Sequence, residues 1–264
     1  MMVKSNPLIS FLIINYNNTN LLPRSIDSCL KQTYKNFEIL VFDDKSENSI
    51  KKQKKKFRFN KKIKFYENKQ KKFMIPAFDA ANSYEFLIKK SKGSIVSLLD
   101  SDDYIHKDKA REIISIFLKY KKISFVQNLI INKKHKKKNL TNSPFSFWPY
   151  LAPESCINFR KPFFFEYLKK TKSYKKEYSD LWLGFRLGVY SFYKRDKFFQ
   201  LNKALTYYEN FGESLKYKRF NYNWWIRRKN SFMYAYKISN NKKLVFNFDF
   251  FITSLMVFIL RLIK

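Results

Sequence analysis

The sequence is poor in the residues on which several common functional sites depend. Its 264 residues include four glycines, which supply neither a G-x-G-x-x-G dinucleotide loop nor a G-x-x-x-x-G-K phosphate loop. Its two histidines form no H-E-x-x-H zinc helix, and its two cysteines are too few for a four-thiolate zinc site. Two cysteines beside apolar residues also give no disulfide framework, which is typical of a reducing compartment. If the chain performs chemistry, carboxylates are the expected carriers.

Positive charge and aromatic residues are abundant instead. Lys and Arg number 54 against 21 Asp and Glu, which gives a net charge of +33. A hydrophobic content of 45% nevertheless favours a folded domain over disorder. The basic segments 51–72 and 133–138 are interpreted either as a solvated lysine-rich surface or as a face that docks on anionic lipid.

Nucleic-acid binding is an alternative explanation of the charge. Aromatic residues interleave with the lysines of the first basic segment and could stack on bases, namely Phe57, Phe59, Phe65 and Tyr66. No nucleic-acid-binding motif is visible, however, so the sequence disfavours this partner.

Two apolar runs raise the question of membrane targeting. Leu8–Ile14 is followed at once by polar residues without a cleavage site, which favours a buried strand over a signal peptide. Phe250–Leu260 is too short to span a bilayer, which needs about 20 residues. A helix here either packs on the protein or lies on lipid. We expect a cytoplasmic protein, either free or peripheral on the inner face of the plasma membrane.

The first half alternates apolar runs with helix-like stretches, which predicts an α/β fold. The predicted strands are Ile9–Asn15, Phe37–Phe42, Ile63–Tyr66 and Ile95–Leu99. The predicted helices are Asn20–Gln32, Ala80–Lys90 with Asp79 as N-cap, and Lys107–Lys119. In the less regular second half, we predict strands at Ile123–Ile131 and Ser155–Phe159, and helices at Pro162–Lys170 and Asp180–Tyr190.

Two of these strands end in acidic clusters, Asp43-Asp44 and Asp100-Ser101-Asp102-Asp103. In open parallel sheets ligands bind beyond the carboxyl ends of the strands, so both clusters are expected to face one crevice. Like charges repel, and a divalent cation such as Mg²⁺ or Mn²⁺ would relieve that repulsion. The alternative is that each cluster is only an acidic turn or a helix cap.

The chain resembles the family 2 glycosyltransferases of GT-A fold in three ordered blocks. The first is Ile14-Asn15-Tyr16-Asn17 after an apolar strand, and the second is 31–46, KQTYKNFEILVFDDKS. The third is 93–103, GSIVSLLDSDD, which is similar to the D-x-D motif of the family. More faintly, 180–187 resembles the E-D-x-x-L-W-L-R segment of the catalytic base.

The resemblance implies an open, mostly parallel sheet flanked by helices, an irregular acceptor-side region and an apolar helical tail. It implies a nucleotide-sugar-binding half over 1–125, an acceptor and base half over 126–236, and a tail over 237–264. The implied activity is metal-dependent, inverting transfer of a hexosyl unit from a UDP-sugar to a glycan or glycolipid acceptor, in bacterial surface polysaccharide or lipopolysaccharide assembly.

Site residues follow from the same resemblance. Asp102 and Asp100 would hold Mn²⁺ or Mg²⁺, and Asp180 would be the catalytic base. The donor nucleotide would lie beside Asn15, Tyr16, Asp43 and Asp44.

The chain also departs from the family pattern. Lys45 replaces a common Gly, and Ser179 replaces the acid that usually precedes the base, with Glu177 nearby. A non-catalytic, sugar-nucleotide-binding relative therefore stays open as an alternative, and Asp180 itself could be a helix N-cap.

Overall fold

The computed structural model describes residues 6–68, 75–131, 153–172, 176–194, 197–209, 221–240 and 246–263. The strands are β1 (Ile9–Asn15), β2 (Phe37–Asp43), β3 (Ile63–Glu67), β4 (Ile95–Asp100), β5 (Tyr104–Ile105), β6 (Phe125–Ile131), β7 (Ile157–Arg160) and β8 (Phe198–Tyr207). The helices are α1 (Leu22–Leu30), α2 (Lys51–Phe57), α3 (Pro76–Lys90), α4 (Lys109–Lys119), α5 (Lys161–Thr171), α6 (Leu183–Tyr193), α7 (Tyr222–Ile238) and α8 (Phe248–Leu262). A 3₁₀ turn, Glu154–Cys156, precedes β7.

One sheet contains all of these strands, in the order β3-β2-β1-β4-β7-β6-β8-β5. The first four are mutually parallel, and β6 and β8 are also parallel to each other. Antiparallel pairing occurs where β7 lies between β4 and β6, and where β5 pairs with β8. The predicted α/β fold with a mostly parallel sheet is therefore confirmed.

Two apolar cores cover the two faces of this sheet. On β1, Phe11 and Ile13 point into the core made with α1 and α4, whereas Leu12 points into the core made with α3, α5 and α6. Strands that are buried on both faces are apolar at most positions, which explains the nearly continuous apolar runs. Both cysteines are buried and free, as the sequence led us to expect.

Most predicted elements form within a few residues of their predicted bounds, but two capping predictions are wrong. Helix α3 begins at Pro76, whose fixed φ suits the first helical turn, so Asp79 lies inside that turn and Ile75 is the N-cap. Helix α6 begins at Leu183 with Trp182 as its N-cap, so Asp180 precedes the helix and caps nothing. Helices α2 and α7 were not predicted.

The aromatic residues of the first basic segment are unsuited to stacking on bases. Phe57 is buried in the core beneath α2, while Phe65 and Tyr66 of β3 pack against the cores on opposite faces of the sheet. Only Phe59 of the four is exposed, at 82%. Because Phe57 is buried and the half-buried Phe65 and Tyr66 lie on opposite faces of the sheet, the four rings do not form one stacking surface. The second basic segment, 133–138, lies outside the described residues.

Within the described ranges, no helix combines the length and the apolar character that crossing a bilayer requires. The predicted apolar helix near the C-terminus forms as α8 and packs on α7. Phe232 of α7 contacts Phe250 of α8 edge to face, with ring centroids 5.6 Å apart.

Candidate active site

The carboxyl ends of β1, β2 and β4 lie side by side at one edge of the sheet. In register, Asn15 is opposite Asp43, and Ile14 is opposite Asp100. The loops that follow stay together, because the Asp44 amide donates to the Asn15 carbonyl oxygen at 2.8 Å. Both predicted acidic clusters therefore reach the same edge, which is where a parallel sheet binds ligands.

At this edge Asp43 braces the loop after β2. Its carboxylate accepts hydrogen bonds from Asn15 Nδ2 at 2.6 Å and from Ser46 Oγ at 2.7 Å. The loop turns at Lys45, whose φ of 57° lies in the left-handed region that favours glycine. This backbone geometry explains why a glycine suits the position. Asp43 therefore shapes the loop through its buried carboxylate.

Asp44 and Tyr16 lie nearer the crevice. One carboxylate oxygen of Asp44 accepts from Asn68 Nδ2 at 2.9 Å, which orients this buried side chain. Tyr16 is 47% exposed and therefore accessible to solvent. An oriented carboxylate and an accessible aromatic ring are suited to a polar ligand with a flat base.

Four carboxylates form a group that we call the acid cluster: Asp100, Asp102, Asp103 and Glu154. Tyr84 Oη donates to Asp100 Oδ1 at 2.9 Å, and the Glu209 amide donates to Asp103 Oδ1 at 3.0 Å. Two buried oxygens of the cluster, Asp103 Oδ2 and Glu154 Oε2, have no hydrogen-bond partner in the described part of the chain. Buried carboxylate oxygens without partners are rare and indicate a place for a ligand or a cation.

Burial raises the pKa of every member of the acid cluster. The pKa of Asp100 lies well above its ordinary value, because desolvation is reinforced by the charges of Glu154, Asp103 and Asp102. Burial also raises the pKa of Asp103 and of Glu154 to about 7. Such concentrated negative charge is unfavourable by itself and favours binding of a cation.

Arg24 of α1 holds the loop that carries Asp102. Its guanidinium donates to the Asp102 carbonyl oxygen at 2.5 Å and pairs with Glu209 at 2.9 Å. It also stacks over the Tyr104 ring, 4.5 Å from the centroid. Although burial raises the pKa of the Asp102 carboxyl, the nearby guanidinium partly opposes that rise.

Lys109 lies beneath the acid cluster and is fully buried. Its Nζ donates to the Ser155 carbonyl oxygen at 2.5 Å, while the Ser155 hydroxyl accepts from the Asp100 amide at 3.0 Å. Burial lowers the pKa of Lys109 to about 8, partly offset by charges that include Asp103. Lys109 was not predicted as a site residue, although its place on the apolar face of α4, four residues before Ile113, is a signal that could have identified it.

Asp180 lies in the turn before α6. Its carboxylate accepts from Asn230 Nδ2 of α7 at 2.9 Å, and burial raises its pKa. Arg186 is close enough to lower the pKa values of both Asp180 and Glu154. Glu154 in turn accepts from the Gly184 amide at 2.9 Å. The structure thus links the turn of Asp180 to the acid cluster through α6.

Glu177 does not serve as the second acid beside Asp180. It forms an ion pair with Lys237 at 2.6 Å on the protein surface. Glu154 and Asn230, which do contact this region, were missed because no local pattern in the sequence marks them.

A divalent cation fits this edge only as a site shared with its ligand. No three acidic, histidine or cysteine side chains within the described ranges converge as a metal site. Mg²⁺ and Mn²⁺, however, often take one or two carboxylates and complete their shell with substrate phosphates and water. The half-buried Asp102 and Asp100 could supply these one or two carboxylates, and the unpaired oxygens of Asp103 and Glu154 lie in the same acid cluster.

Comparisons with solved structures agree with the fold. The structure of S. aureus TarS residues 1–349 with UDP-GlcNAc matches over 94% of this chain and 72% of the TarS chain, with a TM-score of 0.67 and 16% identity. A mannosyltransferase of Pyrobaculum calidifontis with GDP-Man and Mn²⁺ covers 98% and 74%, with a TM-score of 0.63 and 11% identity. At these identities the likeness concerns the fold, which is of the GT-A type.

Sequence comparisons give the family. An Escherichia coli protein, the UDP-Glc:α-D-GlcNAc-diphosphoundecaprenol β-1,3-glucosyltransferase WfgD, is 34% identical over 119 residues, which is 45% of this chain and 44% of that protein. The chain spans less than half the length of this relative and of three similar Rickettsia glycosyltransferases. The profile described as glycosyl transferase family 2 matches residues 10–201, and the chain therefore belongs to that family.

Proposed function

We propose that this protein transfers a sugar from a UDP-sugar to a hydroxyl group of a glycan or glycolipid acceptor, with inversion, in bacterial surface polysaccharide or lipopolysaccharide assembly. One observation carries the proposal. In a family 2 chain, the acid cluster lies at the carboxyl edge of the sheet beside Asn15 at the end of β1 and Asp44 just after β2. One similar protein is named a UDP-Glc transferase and another was solved with UDP-GlcNAc, which supports UDP as the nucleotide.

The donor would lie across the ends of β1, β2 and β4. Tyr16 would offer its exposed ring to the nucleotide base, and Asp44 would accept hydrogen bonds from the base or the ribose. Asn15 and Asp43 would hold that loop in shape through the bonds described above. Binding energy at this end positions the sugar for reaction at the other end.

Asp102, assisted by Asp100, would hold Mn²⁺ or Mg²⁺ together with the donor pyrophosphate. When bound, the ion supplies positive charge that stabilises the departing nucleoside diphosphate. The residues of this chain prepare that place: Arg24 fixes the backbone of Asp102, and Tyr84 fixes the carboxylate of Asp100.

Asp180 would be the general base that removes the proton from the acceptor hydroxyl. Its raised pKa supports this role, because a base is most effective when its pKa lies closer to the working pH. Asn230 would orient the carboxylate by donating to Oδ2, leaving the other oxygen for the acceptor. A single displacement by that hydroxyl would invert the anomeric carbon.

The test is release of UDP from a panel of UDP-sugars by the purified protein, with Mn²⁺, with Mg²⁺ and with a chelator. We expect turnover of at least one sugar with metal, and a loss of roughly 10²–10³-fold in Asp102→Ala. Asp27→Ala is the matched control, because Asp27 is a surface acid of α1 that only pairs with Lys56. Absence of both binding and turnover for every UDP-sugar would contradict the proposal, as would equal activity of the two variants.

A non-catalytic sugar-nucleotide-binding protein is the second candidate. It is favoured by Ser179, which leaves Asp180 without the acid that usually precedes the base, and by the surface ion pair that occupies Glu177. Metal-dependent binding of a UDP-sugar without release of UDP, across glycan and glycolipid acceptors, would support this candidate over transfer.

A further inference from the structure

The outer face of α8 carries a continuous apolar stripe. Its members are Phe248, Phe251, Leu255, Phe258 and Leu262, spaced three and four residues apart so that they share one side of the helix. Four of the five are more than 60% exposed. Ile259 and Ile263 widen the stripe towards the end of the helix. Contiguous apolar surface of this kind marks an interaction site.

The opposite face of α8 fixes the direction of the stripe. Thr253 and Val257 are buried, and Thr253 Oγ1 accepts from Arg228 Nε of α7 at 3.0 Å. Arg228 also forms an ion pair with Asp249 in the first turn of α8. Because α8 is anchored by both polar and apolar contacts, the stripe is held facing outward.

The length of α8 and the charge of the protein indicate which kind of partner the stripe contacts. Between Asp249 and Arg261 the helix has no charged residue, and its 15 residues extend about 22 Å, too short for a bilayer core of about 30 Å. A helix of this length with one outward apolar face is suited to lying in the plane of a membrane. The net charge of +33 complements an anionic membrane surface, where each basic residue near the lipid adds attraction.

A second copy of the chain fits the stripe less well. Its two heptads are fewer than the three or four that a stable coiled coil needs, and between Asp249 and Arg261 no charged residue lies beside it to select a partner helix. Two copies, each with a charge of +33, would also repel each other.

We propose that α8 is a lipid-docking element, whose stripe inserts at the boundary between headgroups and acyl chains of an anionic bilayer. Docking of this kind does not depend on the transferase activity proposed above. It would hold the protein at a membrane surface.

The experiment is flotation of the purified chain with vesicles of phosphatidylglycerol and phosphatidylcholine, compared with phosphatidylcholine alone. We expect binding to the anionic vesicles that weakens as salt is raised. Phe258→Glu should bind the vesicles about tenfold more weakly, because the variant loses the free energy gained when the Phe258 ring moves from water into the bilayer. Phe59→Glu is the matched control: Phe59 is also exposed and the charge change is the same, but it lies outside α8 and should bind within about twofold of the parent.

Phe258→Lys separates insertion from simple charge attraction. It raises the net charge, so attraction alone would strengthen binding, whereas insertion of the stripe predicts weaker binding. Binding by Phe258→Lys at or above the parent level would overturn the proposal, and so would equal losses in Phe258→Glu and Phe59→Glu. A dimer that light scattering detects and Phe258→Glu dissociates would assign the stripe to a second copy instead. UDP release in vesicle-free solution should be the same in all of these variants, which keeps this test separate from that of the proposed function.

Discussion

The two halves of the sheet differ in how they bury polar groups. In β1, β2 and β4 the buried polar residues of the strand interiors are few, namely Ser10, Glu38 and Ser97, and the polar side chains of the candidate site stand at the last strand positions and in the loops that follow. In β6, β7 and β8, polar residues are buried within the strands themselves, namely Gln127, Asn128, Asn158 and Thr206. The first half therefore presents the side chains of the candidate site at strand ends and on the loops after them, whereas the second half buries its polar groups within the strands.

The buried polar residues of the second half form a chain of hydrogen bonds that ends beneath the acid cluster. Asn128 Nδ2 donates to Thr206 Oγ1 at 2.9 Å, and Thr206 Oγ1 donates to the Ser155 carbonyl oxygen at 2.9 Å. Lys109 donates to that same carbonyl oxygen. These buried hydrogen bonds connect the strands of the second half to the backbone beneath the acid cluster, so the second half can fix the position of the acids that the first half supplies.

The proposed roles, metal binding by Asp102 in the first half and proton removal by Asp180 in the second, predict different kinetic effects for the two acids. Asp180→Asn should lower kcat by roughly 10²–10⁴-fold while changing UDP-sugar binding little, because the base acts only on the acceptor. Asp102→Ala should weaken UDP-sugar binding as well as turnover. Calorimetric binding together with steady-state rates checks both.

Glu177→Gln is the control for the Asp180 variant, since it removes a nearby carboxylate that is engaged with Lys237 at the surface. If Asp180→Asn and Glu177→Gln have the same kcat, the assignment of the base to the second half is wrong.

The two halves should also differ in their tolerance of a methyl group at glycine. A Cβ at Gly93 would lie 2.4 Å from Ser10 Oγ and 2.8 Å from two backbone atoms of β1 and the residue before it. We expect Gly93→Ala to reduce the free energy of unfolding by about 1–3 kcal/mol, measured by urea denaturation.

Gly184→Ala is the matched substitution in the second half. Its Cβ would meet the Ile157 side chain at 2.9 Å, which can shift, and alanine raises helix propensity by about 1 kcal/mol. A net change near zero is expected. Equal losses at the two glycines would contradict the view that the first half is the more tightly constrained.

The junction between the halves should be sensitive to pH through Glu154. Its pKa is raised from 4.5 to about 7 in the folded protein, so between these values the folded state binds more protons than the unfolded state. The free energy of unfolding should therefore fall as pH rises through this window, by roughly 1 kcal/mol per pH unit from this group.

Glu154→Gln resembles the protonated acid at every pH and lacks this dependence. Relative to the parent, the variant should gain stability from pH 5 to pH 8 in denaturation measured without metal. Stability curves that stay parallel across that range would show that Glu154 is not desolvated as described.

Much of the donor edge could be predicted from the sequence. Apolar runs with acidic ends locate the strands, and parallel strands bring their carboxyl ends together whatever the loops do. Hence the meeting of Asn15 and Asp43 with Asp100 followed from local pattern and topology. The cap prediction at Asp79 failed because a proline three residues earlier is a better helix start.

The sequence by itself determined where the strands of the first half lie along the chain, which of them end in acidic residues, and the family to which the chain belongs. Only the tertiary structure decided which acids are buried, that Lys109 lies beneath them, and that Asn230 orients Asp180. The physical reason is that strand and helix periodicity are properties of neighbouring residues, whereas desolvation and Coulomb energy sum over groups that folding brings together from distant parts of the chain.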